Sequence, residues 1–64
     1  MYPVLHGLMM SRGYTVRTIA EELGIPLSTM YIKFKGKTDF KLEEAIKIKE
    51  LLASNMPLEE LFER

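Results

Sequence analysis

The sequence has no cysteine, one histidine and one aspartate in 64 residues, and these scarcities remove several classes of chemistry at once. Without thiols there is neither a disulfide nor a thiolate metal site, which fits a reducing compartment. His6 alone cannot supply a ligand set, so neither a metal nor a cofactor is expected. Six of the eight glutamates fall in adjacent pairs, at 21–22, 43–44 and 59–60. Neighbouring residues on a helix point about 100° apart, so these pairs do not set two carboxylates on one face for acid–base work. No glycine-rich phosphate loop is present. A chain this short is also expected to lack a ligand pocket of about 300 Å3 or more, and it reads as a non-enzyme.

Long apolar runs are missing too, since none approaches the roughly 18 residues of a membrane span. The opening MYPVLHGLMM has neither the basic region nor the small-residue cleavage site of a signal peptide, so a cytoplasmic location is expected. No segment alternates with period two and no Asn-Gly or Asp-Gly turn occurs, which argues against strands. Net charge is zero, which taken alone argues against a nucleic-acid partner. Its distribution argues the other way. Through Lys41 there are six bases against three acids, and from Leu42 onward three against six, so one half stands near +3 and the other near −3.

What the chain does contain is helix signal. Hydrophobic residues make up 47% of it, without low complexity, which favours one folded domain over residues 1–64. Pro3 suits a first helical turn, and Val4, Leu5, Leu8 and Met9 follow at helical offsets to about Arg12, where Gly13 ends the helix. Thr15 is placed to cap a second helix, Val16 to Leu23, with Ile19, Ala20 and Leu23 inward. Pro26 opens a third helix to about Lys35, closed by Gly36. Phe40 reads as a core plug in the following loop. A fourth helix, Leu42 to Ala53, places Leu42, Ala45, Ile46, Ile48 and Leu52 on or near one side, and PLEELFER forms a short fifth. His6 is expected to be partly buried, and Met10 is the methionine expected outside.

The segment from Thr15 to Lys35 is the most specific. Ala20 is small enough for a second helix to cross closely, Gly24 can adopt the left-handed conformation that ends a helix, and Ile25 fills the corner. Met30 and Phe34, one turn apart, anchor the next helix. With GYTVRTIAEELGIPLSTM followed by KGKTDF, LEEAIKIKELL and PLEELF, nearly the whole chain resembles the phage repressor and Cro type of helix-turn-helix protein, the XRE family, in its minimal phage or prophage form. The resemblance implies an all-α, five-helix lambda-repressor-like domain that binds double-stranded operator DNA as a homodimer and acts as a transcriptional regulator, usually a repressor. Its third helix would enter the major groove, two such helices standing about 34 Å apart. Three positions depart from the family pattern. Lys35 replaces a common asparagine, Pro26 a capping serine and Lys41 a capping threonine, and each lost cap costs about 0.5–2 kcal/mol.

With Met30 and Phe34 inward, the opposite face of the third helix carries Ser28, Tyr31, Ile32 and Lys35, and these, with Leu27 at the flank, are the expected base-facing residues. Arg17, Lys33 and Lys37 are the expected phosphate contacts. About five phosphates per subunit would give a dimer a log–log salt slope near −9. Leu58, Leu61 and Phe62 are expected to share between core and a dimer seam. No membrane and no small-molecule partner are expected. The competing reading is a helical protein-interaction module, antirepressor-like or part of a larger phage complex, which zero net charge and the exposed Tyr31 and Ile32 would suit.

Overall fold

The computed structural model describes residues 2–64, which form five α-helices and, among the described residues, no strand. They are α1 Pro3–Ser11, α2 Val16–Leu23, α3 Leu27–Phe34, α4 Leu42–Leu51 and α5 Leu58–Leu61. Their ends follow from local chemistry. In α1 the chain leaves through Gly13 at φ 77°, and the Tyr14 N–H donates back to the Met9 carbonyl at 2.8 Å, the long bond of a Schellman-type stop. Gly24 and Gly36, at φ 69° and 84°, close α2 and α3 in the same way, with Ile25 donating to Ala20 and Lys37 to Ile32. Ala53 takes that position after α4 at φ 51°, where a side chain is strained, so α4 stops short of the expected Ala53.

The helix starts differ in quality. Thr15 and Thr18 form a reciprocal box before α2. The Thr18 N–H donates to Thr15 Oγ1 at 3.2 Å and the Thr15 N–H to Thr18 Oγ1 at 2.7 Å. Pro26 stands at the cap of α3, where no side chain hydrogen-bonds the helix start. Lys41 cannot accept a hydrogen bond, but its N–H donates to Glu44 Oε1 at 2.9 Å, so half of the arrangement survives the missing threonine.

Leu5, Met9, Ile19, Met30, Ile48, Leu52 and Leu61 are fully buried and supply one core from all five helices and the α4 cap. α2 packs on α3 and α4, while α5 packs on α1 and α4. Phe40 plugs the loop as expected. Its ring stands edge-on to Phe34, Phe62 and Tyr2, at centroid distances of 5.1, 5.3 and 5.4 Å. Tyr2 is buried although its backbone is left-handed at φ 44°, a strain the aromatic cluster holds in place.

Three burial expectations are corrected. Leu42 is 69% exposed and Ile46 41%, because Ala45, Ile48 and Leu52 define the inward stripe of α4 and the four-residue α5 is too short to cover the first turn. His6 is exposed on α1, since Leu5 and Met9, four residues apart, face the core instead. Met10 is exposed, as expected.

Candidate nucleic-acid interface

The three-residue turn Gly24–Ile25–Pro26 sets α3 across α2, with Ala20 buried where they meet and Ile25 packed against the core. Met30 is fully buried and Phe34 nearly so. Ser28, Tyr31, Ile32 and Lys35 therefore emerge together on the opposite side of α3, Tyr31 and Ile32 at 47% and 43% exposure. Leu27 is half-buried against the core, and Thr29, which the wheel reading passed over, is exposed beside Ser28. This face combines a hydroxyl pair, an aromatic, a branched aliphatic and an ammonium, a set that can bond base edges and cover thymine methyl groups.

Arg17 is exposed in the first turn of α2, and Lys37 is exposed just beyond Gly36. The Thr15 hydroxyl occupies the Thr18 N–H, so one donor at the start of α2 is already taken. Lys33 does not join these cations, which corrects its expected role as a phosphate contact. It is buried, with Nζ 3.2 Å from Glu44 Oε1 and donating at 3.3 Å to the Asp39 carbonyl. The wheel carried the warning, because Lys33 stands only about 60° from Met30. Burial pushes the Glu44 carboxyl up, but the Lys41 N–H and the Lys33 ammonium outweigh it and hold the group below its ordinary value.

The proposed dimer residues separate likewise. Leu61 is fully buried and takes the core share of the three, since α5 packs on α1 and α4. Leu58 and Phe62 are half-buried and border an open groove of about 580 Å3, together with Leu42 and Ala45. A second groove, of about 510 Å3, lies between α1 and α3. Both exceed the concavity expected of so short a chain, because a single-turn α5 and a glycine in α1 leave gaps at the surface.

Arg64 was not singled out by its sequence context, yet it joins three parts of the fold. Its Nη2 donates to Tyr2 Oη at 3.0 Å, to Asp39 Oδ1 at 3.0 Å and to the Gly36 carbonyl at 3.3 Å. The guanidinium also lies 5.3 Å from the centroid of the Tyr2 ring. Its partners are 25 to 62 residues away, beyond the reach of any local pattern. Among the described residues, no group of three or more histidine, cysteine or acidic side chains is placed to hold a metal, and no helix is long and apolar enough to cross a membrane. No protein-family model matches the chain, and no curated protein or solved structure matches it either.

Proposed function

We propose that this protein is a sequence-specific DNA-binding regulator of the phage repressor and Cro type, reading a major groove with α3. The observation that carries this is the exposure of Tyr31 and Ile32 between Ser28 and Lys35, on a helix whose other side is fixed by Met30 and Phe34. Two large apolar side chains left exposed on one helix face are costly in water and useful against bases. Arg17 and Lys37 position the duplex, Lys35 reaches a base edge or a phosphate, and Lys33 holds α3 in place through Glu44. A homodimer would use Leu42, Leu58 and Phe62, with Leu61 behind them in the core.

Selection of bound duplexes from a random library, followed by anisotropy titration, tests the reading. An enriched inverted repeat is expected, and Tyr31→Ala with Lys35→Ala should erase the preference. With three exposed cations per subunit in place of five phosphate contacts, the log–log salt slope of a dimer is expected near −5. No enriched motif, with weak binding indifferent to both substitutions, would refute it. A second reading, a module that binds protein through α4, is favoured by the exposed Leu42 and Ile46. It predicts that Leu42→Ser and Ile46→Ser abolish partner binding while α3 substitutions do not.

A further inference from the structure

The groove between α1 and α3 has a floor that the fold does not account for. Pro3, His6 and Gly7 form one side, Tyr31, Phe34 and Lys35 the other, and Val16 lies at the start of α2. Gly7 sits inside α1, where glycine is the least favourable residue except proline. Its φ is not positive, and a Cβ added there would meet nothing within 4 Å. Neither backbone conformation nor close packing calls for glycine at this position. At this lining position glycine contributes no side chain to the groove.

The lining is apolar except for two bases, His6 and Lys35, and the tyrosine hydroxyl, and it contains no acid. Its volume of about 510 Å3 lies within the ordinary range of small-ligand sites. This chemistry fits an occupant with an apolar body and an acid group.

We propose that this groove binds a small amphipathic carboxylate, one or two fused rings bearing one acid group. The rings lie over Gly7 against Val16, Tyr31 and Phe34, and the carboxylate pairs with the Lys35 ammonium, with His6 at the other rim. Tyr31 and Lys35 also belong to the DNA-reading face of the proposed function, so on that reading the bound acid displaces DNA. The chain would then carry an effector site on the reading helix itself.

Titration of the full chain with 2-naphthoate, followed by amide chemical shifts, tests the site without DNA. Saturable shifts are expected at Gly7, Val16 and Lys35. Gly7→Leu, which adds a bulky side chain at a lining position where a Cβ meets nothing within 4 Å, should abolish them while circular dichroism stays helical. Gly7→Ala, too small to fill the space, controls for helix stability. Lys35→Met, or 2-naphthylmethanol in place of the acid, should weaken binding about tenfold through loss of the charge-assisted bond. Absence of saturable shifts, or shifts that survive Gly7→Leu, overturns the site, and equal binding of acid and alcohol overturns its ligand class. On a selected duplex, displacement by naphthoate supports the effector role. Naphthoate binding beside undiminished DNA affinity overturns that role and keeps the site.

Discussion

Lys33→Met separates a structural lysine from a DNA-contacting one. The substitution keeps an unbranched apolar stem of similar shape, with sulfur in place of Cδ, and removes the ammonium. In the native fold that ammonium lies 3.2 Å from Glu44 Oε1 and 3.3 Å from the Asp39 carbonyl, with the two side chains 11% and 15% exposed. Removing one partner of a fully buried pair costs about 3–5 kcal/mol, whereas an exposed pair is worth about 0–1 kcal/mol. Here the pair is nearly buried, but Glu44 keeps its bond from the Lys41 N–H at 2.9 Å, so a loss of about 2 kcal/mol is expected. A domain of 64 residues has a total stability of about 3–10 kcal/mol, so this is a large share. In urea, at a slope near 1 kcal/mol/M, the midpoint should fall by about 2 M. The effect should depend on pH. Glu44 is held below its ordinary value in the folded chain, so its contribution is present above the unfolded value and lost as pH falls through the folded one. Wild type and variant should therefore converge in acid. Lys33→Met with Glu44→Leu should lose less than the sum of the two single changes, because no unpaired charge is left buried. Unchanged stability together with a shallower salt slope for DNA binding would refute this account and return Lys33 to the phosphates.

Leu61→Ala should cost about 2–5 kcal/mol by urea denaturation as a cavity in the core, whereas Leu58→Ala should be mild in the monomer and should weaken self-association in sedimentation equilibrium. Equal effects of the two on stability would contradict the assignment of Leu61 to the core and Leu58 to the surface. Ala53→Gly should stabilise by about 1 kcal/mol, because glycine takes φ 51° without strain, and thermal denaturation reads it as a midpoint raised by about 4–8 °C. Arg64→Ala should speed amide exchange at Lys37 and Thr38, flanked by the Gly36 carbonyl and the Asp39 carboxylate that the guanidinium holds, with Arg64→Lys only partly restoring protection. Unaltered exchange would mean that the loop is ordered by Phe40 alone.

The sequence made most of the helical plan legible because the stops are chemical and local. Gly13, Gly24 and Gly36 end three helices in the left-handed conformation expected of such glycines, and Thr15 caps α2 as its position implied. Ser28, Tyr31, Ile32 and Lys35 share one exposed face for the same reason, since Met30 and Phe34 fix the rotation of α3. Lys33 has the residue type of a surface cation, but its angle on the wheel, about 60° from Met30, sets it beside the core. Leu61 could not be told from Leu58 and Phe62, since a helix of four residues has too few turns to display a period. The exposure of Leu42 has a related cause, since whether α5 reaches the first turn of α4 depends on tertiary length and not on local spacing. The Arg64 contacts and the groove over Gly7 bring together residues far apart in the chain, and no spacing rule encodes them.

The bond from Arg64 to the Tyr2 hydroxyl brings the two ends of the described chain within the span of their own side chains. Topologically the fold is nearly a closed ring. A linker of a few glycines could join residue 64 to residue 2 without redirecting any helix, and such a bond would remove entropy from the unfolded chain while leaving the native packing alone. The ring could then be reopened at the exposed Asn55, between α4 and α5, giving a permuted chain with a new order of helices. Such a permutant would place α5 and α1 in one continuous segment and leave the α2–turn–α3 unit uncut.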